Sequence, residues 1–189
     1  MIDRIAALAR SPRGLALVAA WACAEAILLP VVPDIALLPL VAAVPRATPR
    51  LFVALVVGAI VGSAILAGFV LVDPDRVRSL LQALPALDAS TFATVEADLT
   101  AHGVSAFGAL GPGVPLKVYT TQWVTADGSP LVLAVGVALN RLTRIGPGIV
   151  VAAVIGHLAP GAMRRHERIA LGAYAVGWIA LYLVYWRIV

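Results

Sequence analysis

The stretch GLALVAAWACAEAILLPVVPDIALLPLVAAV, residues 14–44, is apolar almost throughout and is broken in its middle by Pro30-Val-Val-Pro33. It is too long for one straight crossing of a hydrocarbon layer roughly 30 Å thick, and each of its arms is too short to cross alone. That is the pattern of a re-entrant helical hairpin, in which the chain enters the bilayer, turns at Pro30 and Pro33, and leaves on the same side. Turn carbonyls and amides at that depth are tolerated only inside protein or beside a water-filled cavity. A second stretch, VSAFGALGPGVPLKVYTTQWV at 104–124, has the same form, with its tip at Pro112 and Pro115.

Outward from these lie plainer segments. Residues 51–72 form an uncharged run of 22 residues, which as a helix reaches about 33 Å and spans. Gly58 and Gly62 put a small-x-x-x-small face on it, suited to close packing inside the protein or to a homo-oligomer. Residues 130–158 predict a second span, entered at Pro130 and kinked at Gly146-Pro147. Residues 169–187 predict a third, with Tyr182, Tyr185, Trp186 and Arg187 as an interfacial anchor. Residues 1–13 read as a short interfacial helix. Residues 74–102, with Val77, Leu80, Leu81 and Leu84 in helical register and a second stripe at Phe92, Val95 and Leu99, read as two amphipathic helices at the membrane surface.

Composition agrees. Of the 189 residues 61% are hydrophobic and 13% charged, against about 25% charged in a typical soluble domain. Mean hydropathy is +0.97. A single cysteine, Cys23, excludes a disulfide scaffold, and the scattered His102, His157 and His166 argue against a zinc site. The net charge of +4 is not a nucleic-acid footprint, because the bases are interleaved with apolar runs rather than striped. The expected class is an all-α integral membrane protein: three transmembrane helices and two opposed re-entrant hairpins in an inverted repeat, with amphipathic interfacial helices, in a single membrane domain.

Charge placement orients it. With the N-terminus in the cytoplasm and 14–44 folded back, the cytoplasmic side holds eight bases (Arg4, Arg10, Arg13, Arg46, Arg50, Arg164, Arg165, Arg168). The far side holds three, Arg76, Arg78 and Arg187, against six acids. The positive-inside rule favours this arrangement over a full crossing by 14–44. Arg10 and Arg13 before Ala22-Cys23-Ala24 faintly resemble a signal peptide. Cleavage there would remove the arm that carries the hairpin to its tip, so we expect the segment to be retained. Each hairpin is followed by a span, and the hairpins enter from opposite sides, an arrangement met in secondary transporters with a site at the midplane.

Five ionisable residues fall inside the apolar layer: Glu25, Asp34, Lys117, Arg141 and Arg144. Each costs roughly 2.5–3.5 kcal/mol at a helix centre unless it meets a partner or a cavity. We therefore expect them to converge. Arg141 and Arg144, at i and i+3, point from one helix face. Three bases against two acids leave a surplus positive charge that suits an anion, most simply phosphate: Arg offers a bidentate fork and Lys a point charge. Lys117, Arg141 and Arg144 are the expected phosphate ligands, with Thr120, Thr121 and Gln122 as added neutral donors. Glu25 and Asp34 are the expected proton-coupling or gating groups. The opposing expectation is a closed ion network with a purely structural or assembly role. A lipid phosphatase is disfavoured, since no intramembrane His is present and two carboxylates facing three bases make a poor metal site. No catalytic residue, cofactor or metal is expected.

These residues resemble the DedA (SNARE-associated, VTT-domain) family of membrane proteins over roughly residues 20–158. The resemblance rests on Glu25…Pro30-Val-Val-Pro33-Asp34, Gly111-Pro-Gly-Val-Pro-Leu-Lys117-Val-Tyr-Thr120 and Asn140-Arg141-Leu-Thr-Arg144. It is nearest to the short bacterial branch, where Pro-x-Lys-aromatic-Thr precedes Gly-Arg-x-x-Arg. This chain departs in having Asn140 where the family usually has Gly, and in its polar Ala126-Asp127-Gly128. The resemblance implies two facing hairpins. It also implies a transporter or scramblase in the bacterial cytoplasmic membrane that moves an anionic lipid, such as a polyprenyl phosphate or phospholipid, in some members with proton coupling. It carries functional weight to Glu25, Asp34, Lys117, Arg141 and Arg144. The partners so implied are a lipid headgroup and protons.

Overall fold

In the computed structural model, residues 1–84, 87–108 and 114–188 are described, apart from the side chains of residues 185, 186 and 188. Every regular element among them is helical. Two helices are long and apolar enough to cross a membrane, Pro45–Val72 and Glu167–Val184. A third candidate is the pair Pro130–Arg144 and Gly146–Leu158, bent by 46°. The protein is thus of the helical membrane class.

The chain opens with α1 (Ile2–Arg10) and, after the Ser11 cap, α2 (Pro12–Ile27). The Ser11 hydroxyl accepts from the Gly14 N–H at 3.2 Å, and Pro12 occupies the first turn, where no backbone donor is needed. After Leu28–Pro33 comes α3 (Asp34–Ala43), then a short 3-10 turn at Pro45–Ala47, then α4 (Thr48–Val72). The glycines of α4 settle their direction. A Cβ on Gly58 would lie 2.1 Å from the Ala19 carbonyl oxygen, and one on Gly62 would lie 2.4 Å from that of Cys23. Since 19 meets 58 and 23 meets 62, α2 and α4 run parallel in backbone contact. The intervening chain must therefore travel back, and α3 makes that return. α1 packs on both α2 and α3. The small-residue face of α4 is spent on this internal contact.

Beyond α4, Asp73 caps α5 (Pro74–Gln82) and Asp88 caps α6 (Ala89–His102), each accepting from a backbone N–H three residues on. Val77, Leu81, Phe92 and Val95 are buried, whereas Leu80 is exposed, so the inward stripe of α5 is narrower than the sequence pattern suggests. The Arg78 guanidinium lies 5.1 Å from the centre of the Phe92 ring and ties the two helices together. Pro85 lies outside the described residues.

In the segment 104–124, expected to form a second hairpin, the described first part is a 3-10 turn, Gly103–Gly108, rather than an α-helix. Gly103 has φ +56°, a left-handed conformation that ends α6 and that a side chain would strain. The tip residue Pro112 lies outside the described residues. The chain resumes at Val114 and Pro115 and enters α7 (Leu116–Thr125), then α8 (Pro130–Arg144). Gly136 abuts the Phe107 ring and Leu139 abuts Gly108, so the 3-10 arm packs against α8. α8 and α9 (Gly146–Leu158) meet at Ile145, beside Gly146-Pro147, at the 46° bend. α9 lies on α3, with Gly156 against the Ala42 carbonyl. After α10 (Pro160–Arg165), α11 (Glu167–Ile188) climbs from α1, where Glu167 accepts from the Ile2 N–H at 2.9 Å.

Candidate functional site

Four elements meet where α2 ends and α3 begins. α2 delivers Glu25 less than a turn before its end, and Asp34 is the first residue of α3. Lys117 stands in the first turn of α7, while Asn140, Arg141 and Arg144 occupy the last turn and a half of α8. All six line one cavity of about 300 Å³. Pro30 and Pro115 also line it, whereas Pro33 is buried behind the turn. The five charges that the sequence singles out are thus brought to one place.

Their bonding is uneven. The Arg141 guanidinium donates to the Glu25 carboxylate, and this ion pair is almost wholly buried, at 5% and 8% side-chain exposure. Arg144 donates instead to the Val114 carbonyl, just before Pro115. Lys117, 2% exposed, donates from Nζ to the Leu29 carbonyl at 3.0 Å, so the start of α7 reaches across to the turn after α2. Those carbonyls are available because proline breaks leave them without helical partners. A carbonyl neutralises no charge. Neither Lys117 nor Arg144 has a carboxylate as its hydrogen-bond partner among the described residues; Glu25 acts on both through space, and Asp34 on Arg144. Asp34 Oδ1, Asn140 Oδ1 and Arg141 Nε are buried with no hydrogen-bond partner among the described residues. Buried polar groups are normally satisfied, and at a cavity wall such atoms are where a water or a ligand bonds.

Other placements differ from the sequence expectation. Thr120 donates to Ser63 on α4 at 3.3 Å, and Thr121 donates to the Lys117 carbonyl at 2.9 Å. Gln122 Nε2 lies 3.3 Å from both the Phe92 carbonyl and a Glu96 oxygen. None of the three lines the cavity, so they are packing groups rather than added anion donors. The physical reason is direction: helical side chains lean toward the N-terminus, which lets the long Lys117 reach past the end of α7 while the shorter residues a turn later meet α4 and α6. Asn140 has a clear task. Its Nδ2 donates to the Phe107 carbonyl at 2.9 Å, tying α8 to the 3-10 arm.

The sequence reading also missed part of α11. Tyr182 belongs to the site as well as to any anchor: its hydroxyl accepts from the Val32 N–H at 2.9 Å and lies 3.5 Å from the Pro30 carbonyl. Tyr174 donates to the Asp34 carbonyl at 2.9 Å. Trp178, between them, lines the cavity. Aromatic residues at intervals of four, Tyr174, Trp178 and Tyr182, fall on one helix face, which was the available signal. Trp21 donates to the Val31 carbonyl at 3.0 Å, so three aromatic side chains satisfy the backbone of this turn and its flank.

Comparison of the chain with family models, with curated proteins and with solved structures gives no match.

Proposed function

We propose that this protein is a membrane transporter or scramblase that passes the phosphate-bearing headgroup of an anionic lipid, a phospholipid or a polyprenyl phosphate, through the cavity between its two broken segments. In this reading it is a DedA-type protein of the bacterial cytoplasmic membrane with a cytoplasmic N-terminus. Its two hairpins are re-entrant from opposite sides and form an inverted repeat. The packing of each first arm on a later helix of its own half supports the repeat: α2 on α4, and Gly103–Gly108 on α8.

One observation carries the function. A single cavity holds three bases and two acids, and only Glu25 and Arg141 pair among them. Burying unpaired charge is costly, so an arrangement that leaves Lys117 and Arg144 on carbonyls is stabilised when an anion arrives. The lipid keeps its hydrocarbon in the bilayer while its phosphate accepts from Lys117 and Arg144. Arg141 joins once its carboxylate partner lets go. Protonation of Glu25 provides that release and couples movement to a proton. The Glu25–Arg141 pair by itself also suits a closed structural network, so transport has to be measured.

Reconstituted liposomes carrying labelled phospholipid or polyprenyl phosphate supply the test, followed both for flipping and for headgroup loss. We expect flipping by the wild type, its loss in Arg144→Ala with the fold retained, and loss of proton-gradient dependence in Glu25→Gln. Released phosphate would instead mean a phosphatase. No movement by a folded wild-type protein would leave the structural role.

A further inference from the structure

A second, larger cavity of about 730 Å³ lies between α1, α3 and α11. Ile5 and Leu8 of α1, Ala36 and Pro39 of α3, and Ala175 and Ile179 of α11 form much of its wall. Its size falls within the roughly 300–1,000 Å³ of small-molecule sites, but its lining lacks the charged groups that would fix a polar ligand. Its position is informative. Trp178 and Tyr182 line both this cavity and the charged one, so a single aromatic step on α11 separates the two. α11 touches the rest of the protein by polar latches at Glu167, Tyr174 and Tyr182, and no residue of its span segment is buried. A helix held by latches rather than by interdigitated side chains leaves hydrocarbon-sized space beneath it.

We infer that the apolar cavity seats the hydrocarbon chain of the same molecule whose anionic head occupies the charged cavity, the two parts joining across Trp178 and Tyr182. This rests on the anionic-lipid reading above and narrows its substrate class. The ligand is a long-chain amphiphile with a compact phosphate head, held at both ends, rather than any lipid whose tail remains in bulk bilayer. Chain length then contributes to recognition through packing contacts with the groove wall, since leaving bilayer hydrocarbon carries no hydrophobic gain.

The test uses the full-length protein in detergent, with Trp fluorescence as the signal and three probes: dioleoyl phosphatidate, dihexanoyl phosphatidate and dioleoylglycerol. Ala175→Trp fills the groove from the α11 wall, and Ala36→Trp fills it from the α3 wall. We expect each to weaken dioleoyl phosphatidate at least tenfold while dihexanoyl phosphatidate binds as before. Arg144→Gln should weaken both phosphatidates by one common factor. If the long-chain preference is the same in both groove variants as in the wild type, the chain lies elsewhere and the inference is overturned. It is equally overturned if the variants only convert a dimer to monomers, since the groove then belongs to a second copy. Failure of the anion reading looks different. Dioleoylglycerol would bind as tightly as dioleoyl phosphatidate and Arg144→Gln would change nothing, while the groove variants still abolished binding of the chain.

Discussion

Glu25 and Arg141 sit 116 positions apart in the chain and close a buried ion pair. Such a pair adds little net stability, because desolvation offsets its attraction, yet removing one partner strands the other. Glu25→Leu should therefore lower stability by about 3–5 kcal/mol, while Glu25→Leu with Arg141→Leu recovers most of it. Thermal unfolding of the purified variants in one detergent measures both. A double variant no more stable than the single would show that Arg141 does not depend on Glu25. Asn140 differs in kind, since it is neutral and spends its amide on Phe107. Its loss should loosen the 3-10 arm without changing the charge in the cavity.

Among the elements, the contact of α2 with α4 is the least forgiving. Gly62→Leu would drive a side chain into the Cys23 backbone and the Ala26 methyl, and backbone cannot step aside as a flexible side chain can. Overpacking of this kind costs about 1–3 kcal/mol or more, so we expect a clearly lowered melting temperature. The same change at Gly68, which has nothing within 4 Å, should be nearly silent. α6 responds to acid instead. The Thr91 N–H and the Ser90 and Thr91 hydroxyls hold the Asp88 carboxyl down, from an ordinary 3.8 to about 2. Its cap is therefore complete above pH 3.8 and is lost as the pH falls through about 2. The protection factor of the Thr91 amide, taken against its intrinsic exchange rate at each pH, should fall only across that acid interval, and should be low at every pH in Asp88→Ala. At this scale the sequence was largely legible. Pro30-x-x-Pro33, the uncharged run of α4, and Gly146-Pro147 each act on their own few residues, and the helices break where they stand. The 3-10 arm was not legible, because its form depends on Phe107 and Gly108 meeting α8. The tyrosines of α11 were missed because their spacing shows only that they share a helix face, and not that a phenol bonds to a turn 150 positions upstream.

For the whole molecule, the convergence of the five charged side chains was readable because each would be costly if left alone in hydrocarbon. Which of them would pair was not readable. That choice depends on how far each side chain extends from its helix end, a matter of angstroms that residue type does not encode. α11 is the element most open to independent motion. Tyr174→Phe with Tyr182→Phe removes two hydroxyls and leaves the Val32 N–H unsatisfied. Spin labels on α3 and α11 should then report a broadened distance distribution, with little change between labels on α2 and α4. An unchanged distribution would mean that side-chain packing, rather than the tyrosines, holds α11 in place.

If the charged cavity opens within a bilayer, as the proposed transport requires, it threatens to short-circuit the membrane. Lys117, donating to the Leu29 carbonyl, would answer that threat. Together with Arg144 it places two basic side chains on the wall of that cavity, where, on the proposed reading, sodium, potassium and hydronium ions would meet like charge. The groups proposed to bind a phosphate would then also insulate, and a cell could carry many copies of such a protein without draining its voltage.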